Sequence, residues 1–132
     1  MIKQTFNNNT FLEIVDKLKE VKNCKLSGNT LYAYMLSKDT FSYVSNDNEK
    51  ANGYLVLKRF IDNEGNISFL MLFVWIDAHY PKLLKEFILF VNEKAKELGI
   101  KKIYFVATQN EKVIERRTGF KKAFTTFERE VI

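Results

Sequence analysis

A single cysteine, Cys24, stands in 132 residues, so no disulfide can close within one chain. A lone histidine, His79, excludes the usual Cys/His zinc sets, and nothing in its spacing from Cys24 supports a Cys/His catalytic dyad. Such cysteine usage favours a reducing, cytoplasmic setting. The stretch from Met1 to Thr10 is polar and lacks the apolar segment of a signal peptide, and the longest apolar run, Phe69 to Ile76, covers only eight residues. Neither secretion nor membrane spanning is expected. The five glycines, at 28, 53, 65, 99 and 119, read as turn or helix-end residues, which leaves none for a phosphate-cradling loop. Walker, dinucleotide-binding and metal-ligand motifs are likewise absent from the sequence.

What is present is the composition of one ordinary globular domain over residues 1–132, with 46% hydrophobic and 28% charged residues and no internal repeat or linker. The net charge of +5 inclines the chain toward anionic partners such as phosphates, or serves solubility alone. Basic pairs occur at Lys101-Lys102, Arg116-Arg117 and Lys121-Lys122. Without a helix-turn-helix or a basic surface studded with aromatics, a nucleic-acid partner is not expected.

Thr10 and Glu13 have capping-box spacing, and Phe11, Ile14, Val15, Leu18 and Val21 follow at helical steps, which predicts a helix from Thr10 to about Asn23. A shorter helix is predicted from Asn29 to Ser37. The period then changes to two: a strand at Phe41 to Ser45, a polar turn at Asn46 to Asn52, and a strand at Tyr54 to Ile61. After tight-turn residues Asp62 to Asn66, the apolar run Ile67 to Ile76 reads as a central strand buried on both faces. Pro81 suits a helix start, Leu83, Leu84, Phe87, Ile88, Val91, Ala95 and Leu98 continue an apolar stripe, and Gly99 stops it. A strand over Lys102 to Thr108, a short helix over Glu111 to Thr118 and a last strand over Phe120 to Val131 complete an α/β order. The strand, helix and strand from Ile67 to Thr108 form a crossover long enough for parallel pairing, which puts a ligand site near Ile76 to Lys82, facing Thr108 to Asn110.

With this element order, Ala95-Lys96-Glu97-Leu98-Gly99 closing the long helix, Asn110 after the next strand and Gly119-Phe120 before the last one, the chain resembles the GCN5-related N-acetyltransferase family. The resemblance covers nearly the whole chain. It implies an acyl-CoA N-acyltransferase fold, a mixed central sheet flanked by helices, that binds acetyl-CoA and transfers its acetyl group to a primary amine on a small molecule or protein. Two departures stand out. The family's Gln/Arg-x-x-Gly-x-Gly/Ala pyrophosphate loop is missing: His79 falls at the Gln/Arg position, and Lys82 and Leu84 fall where small residues belong. Glu115 stands where many members carry the tyrosine acid, four residues before the Gly-Phe. A second reading is therefore a catalytically inactive binding or structural module with a protein partner. The short lysine- and asparagine-rich chain also resembles acetyltransferase-like proteins encoded by bacteriophages, which would place it in the host cytoplasm or the virion.

Within that resemblance, the backbone near Val74, Trp75 and Ile76 is expected to polarise the thioester carbonyl, and Lys82 offers phosphate a point charge at a helix start. Asp77 is the first general-base candidate and His79 the second, with Asp77 alternatively a helix cap. Asn110 either contacts the pantetheine arm or caps the short helix. Glu115 would serve as acid only if its pKa were raised, against which adjacent Arg116 and Arg117 argue. Lys82 and Lys85 as solvated helix positions, His79 as a turn residue, and Trp75 and Tyr80 as core aromatics are the plainer readings.

Overall fold

The computed structural model describes residues 1–21 and 26–105. Its elements run β1 (Ile2–Thr5), α1 (Asn8–Asp16) with a 3₁₀ turn (Lys17–Glu20), α2 (Gly28–Met35), β2 (Thr40–Asp47), β3 (Lys50–Ile61), β4 (Ile67–Ile76), α3 (Leu83–Leu98) and β5 (Ile103–Phe105). Cys24, Thr108, Asn110, Glu115, Gly119 and the helix and strand predicted after residue 110 lie outside the described residues.

The strands form one sheet in the order β1-β2-β3-β4-β5, antiparallel up to β4 and parallel between β4 and β5. Two core clusters sandwich it. On one face Leu83, Phe87, Val91 and Ala95 of α3 pack on Tyr43, Leu55, Leu57, Phe69 and Met71; on the other Phe11 and Ile14 of α1 and Leu31 and Met35 of α2 pack on Tyr54, Val56 and Phe73. The period-two pattern of β3 thus feeds both layers, odd residues to α3 and even ones to α1 and α2. The prediction of a central β4 and a parallel crossover to β5 holds.

Several local expectations are corrected. β1 was not foreseen; its Ile-Lys-Gln-Thr sequence has too little apolar content to signal a strand, and pairing with β2 makes it one. Helix α1 opens at Asn8 because Asn7, not Thr10, is the cap: its side chain accepts from the Asn9 N–H. The helix ends at Asp16, and the 3₁₀ turn carries the chain on to Glu20. The polar stretch Asn46 to Asn52 is mostly strand, closed by the two residues Asn48 and Glu49 at φ +49° and +69°, the left-handed pair that a tight hairpin needs. Asn52 is left as a bulge, since Ser45 pairs with Gly53 but Asn46 with Ala51. Gly28 is at a helix end, the first residue of α2, whereas Gly53 lies inside β3 and is neither a turn nor a helix-end glycine. Finally, α3 begins at Leu83 with Lys82 as its N-cap, leaving Pro81 in the turn before it.

Gly53 fixes where that helix starts. A Cβ there would stand 2.6 Å from Leu83 Cδ2 and 3.0 Å from the Phe87 ring, so the bare backbone lets the first turn of α3 settle directly on β3, beside the end of β4.

Candidate functional site

Among the described residues β4 pairs with β5 from Phe69 to Met71, a bulge follows at Leu72, and β4 runs on along β3 to Ile76. Alternation of antiparallel hydrogen bonds decides which backbone groups face which neighbour. The Asp77 N–H donates to the Asn52 carbonyl at 2.9 Å, so Trp75, two residues back and opposite Tyr54, also bonds toward β3. Val74 and Ile76 consequently aim their N–H groups to the β5 side. Of these three backbone N–H groups, those of Val74 and Ile76 thus face away from β3, and that of Trp75 faces it.

Past β4 the chain makes a tight turn, with the Tyr80 N–H bonded to the Asp77 carbonyl at 2.9 Å. Asp77 Oδ1 accepts from the His79 backbone N–H at 2.9 Å and lies 2.8 Å from His79 Nδ1. That backbone bond, followed by the ring contact, holds the Asp77 carboxyl below the usual carboxylate range. Asp77 is three-quarters covered, whereas the His79 side chain is 90% exposed, so the pair stands at the rim with the imidazole in solvent. Tyr80 turns inward against the α3 core cluster and donates its hydroxyl to Asp47 at 2.6 Å, across the β2–β3 hairpin. Lys50, Ala51, Asn52, Asp77, His79 and Tyr80 line a pocket of about 240 Å³. Asn52, buried, is among these lining residues, and its Oδ1 has no hydrogen-bond partner among the described residues.

The turn delivers the chain to α3, and its start suits an anion on three counts. Leu83 and Glu86 give their N–H groups to Tyr80 and Lys82, while those of Leu84 and Lys85 have no backbone acceptor among the described residues. Lys82 makes no side-chain cap bond, and neither it nor Lys85 forms an ion pair among the described residues. Both side chains are exposed. The helix start therefore offers unpaired N–H donors and the positive charge of Lys82 and Lys85.

The opposite face of the β4 end carries a cluster that sequence reasoning missed. Tyr54, buried, donates to Glu13 Oε2 at 3.0 Å, and its ring lies 5.5 Å from that of Trp75. Burial first, then the Glu13 carboxylate, push the Tyr54 phenol up to about 12. Lys17 Nζ sits 4.2 Å above the Trp75 ring and 3.2 Å from Glu20 Oε2. The only hint in the sequence is that Glu13 and Lys17, four apart, share one face of a helix beside its apolar stripe. Among the described residues no group of His, Cys, Asp and Glu can hold a metal, and no helix is long and apolar enough to cross a membrane.

No protein-family profile and no curated protein sequence matches the chain. Solved structures do. An aminoglycoside 6'-N-acetyltransferase from Acinetobacter haemolyticus superposes with a TM-score of 0.75 at 10% identity, covering 100% of this chain and 99% of its own. A ribosomal-protein-alanine N-acetyltransferase from Brucella melitensis biovar Abortus 2308 gives 0.68 at 12% identity, covering 100% and 98%. AAC(6')-Iy, bound to the bisubstrate analogue CoA-S-monomethyl-acetylneamine, gives 0.74 at 12% identity, covering 100% and 98%. The mixed sheet, its flanking helices and these likenesses give the chain the fold of the GCN5-related N-acetyltransferases.

Proposed function

We propose that this protein is an acyl-CoA-dependent N-acetyltransferase whose acceptor is a primary amine on a small molecule or a protein. The observation that carries the reading is the pair of Val74 and Ile76 N–H groups aimed to the β5 side, next to a helix start that offers free N–H donors and Lys82. A thioester carbonyl lying there accepts from strand N–H groups in the sheet plane, which stabilises the oxyanion that forms as the amine attacks. The pyrophosphate is held at the start of α3 by Lys82 and the free N–H groups. Backbone strand donors are already in place before the ligand arrives, so they cost no reorganisation.

Asp77 is the general-base candidate and His79 its partner. The carboxylate is ionised at neutral pH and fixed by the His79 N–H, and the exposed imidazole connects it to solvent. Asn110 on the pantetheine arm completes the assignment, with Glu115 the acid for the leaving thiolate only where its pKa is raised. The competing reading, a binding module that has lost catalysis, is favoured by one observation: Lys82 and Leu84 stand at the start of α3 where the family's loop has small residues.

Calorimetric titration of acetyl-CoA into the protein separates the two. Micromolar binding that Lys82→Glu weakens at least tenfold, with the thermal midpoint held within about 2 °C, is the expected result. Absence of binding at millimolar ligand, or equal loss of binding and stability in the variant, refutes the acetyltransferase assignment and turns the search to protein partners.

A further inference from the structure

We propose that Lys17 is an acetyl acceptor within the protein itself, modified from acyl-CoA bound at the β4 cleft. The inference rests on the acyl-CoA reading above and adds to it an acceptor amine that the chain supplies. Its basis is the direction from which a nucleophile must come. With the carbonyl oxygen held in the sheet plane by Val74 and Ile76, attack on the carbonyl carbon comes from above or below that plane. The α3 face is taken by the helix that starts there and by the phosphates it would hold. The α1 face is left for the amine.

Among the described residues Lys17 and Lys58 both reach that face; Lys58 lies over Tyr34 of α2, and Lys17 is the one over the end of β4. Its Nζ lies over the indole of Trp75, the residue between the two donor positions, at 4.2 Å from the ring centre. The side chain is 28% exposed, so the amine is held against the protein while keeping a path to solvent. The Trp75 face and the Glu20 carboxylate, at 3.2 Å, orient it. By contrast Lys19, two residues on, is 81% exposed and paired with Asp16. Lys17 also begins the 3₁₀ turn, where a short reach toward β4 does not unwind α1.

The step balances as an ordinary acyl transfer. The ammonium gives one proton to solvent, the neutral nitrogen forms a C–N bond with the acetyl carbon, the C–S bond breaks, and the second proton ends on the departing CoA thiolate. Amide formation removes the charge of Lys17, so it ends both the ion pair with Glu20 and the cation–π contact with Trp75.

The test is incubation of the full chain with acetyl-CoA, followed by peptide mass spectrometry and by fluorescence of Trp75, the one tryptophan. The expected result is one acetyl mass on Lys17 ahead of every other lysine, at a rate that does not depend on protein concentration. Trp75 emission changes in step with it, and Lys17→Arg abolishes both signals while retaining calorimetric binding of acetyl-CoA. If acetyl-CoA binds but Lys17 is modified no faster than in urea-unfolded chain, the inference fails and the acyl-CoA reading stands. If acetyl-CoA does not bind, both fall.

Discussion

Replacing Gly53 by alanine tests whether the close seat of α3 on β3 is what positions the candidate site. The new methyl carbon would arise 2.6 Å from Leu83 Cδ2 and 3.0 Å from two carbons of the Phe87 ring, well inside van der Waals contact. Neither neighbour has room to withdraw, because Leu83 is 4% and Phe87 0% exposed and both belong to the same core cluster. Overpacking of this kind costs about 1–3 kcal/mol. In a domain of this size each kcal/mol lowers the thermal midpoint by roughly 3–6 °C, so scanning calorimetry reads the loss directly. Shortening Leu83 to alanine by itself removes a buried side chain, at about 2–5 kcal/mol. In the double variant Gly53→Ala/Leu83→Ala the added methyl enters space that Cδ2 has left, so the two penalties do not add and the cycle gives a favourable coupling of at least about 1 kcal/mol. Because the strain falls on the first turn of α3, Gly53→Ala alone also weakens acetyl-CoA binding, and the double variant recovers part of it. Strictly additive stabilities, or a Gly53→Ala protein as stable as its parent, would refute the claim that Gly53 seats the helix.

Two further perturbations follow from local geometry. The folded chain holds the Tyr54 proton more tightly than an unfolded chain, whose tyrosines titrate near 10, so this contribution is complete below about pH 10 and is lost as the pH rises toward about 12. Urea midpoints measured at about pH 9 and about pH 11 should fall more for the parent than for Tyr54→Phe, and parallel slopes would count against it. At the β2–β3 hairpin, Glu49 holds φ +69° with a side chain that disfavours it, so Glu49→Gly completes an Asn-Gly turn and should stabilise by about 1 kcal/mol, read by the same denaturant curves.

How far the sequence reveals this molecule depends on whether the determinant is local. The long apolar period of α3 and the unbroken run of β4 are local, and both elements are found where they were expected, with their parallel crossover to β5. The start of α1 shows the opposite case. Thr10 and Glu13 have the spacing of a cap, yet Asn7 caps the helix, and the Glu13 carboxylate is engaged by Tyr54, 41 residues away. No local pattern separates those outcomes, because Glu13 serves a contact that exists only once β3 lies under α1. β1 is the same lesson at a sheet edge: four mostly polar residues become a strand through the partner they find. The site divides along this line too. That the backbone of Val74 to Ile76 lies at the end of β4 follows from the element order. Which of the three aims its N–H to the β5 side is read from one long-range bond, Asp77 to Asn52, which gives the phase of the ladder. Asn52, the bulged residue of β3, accepts that bond and also lines the pocket beside Asp77. Lys17 reaches Trp75 on the same terms, by the packing of α1 on the sheet.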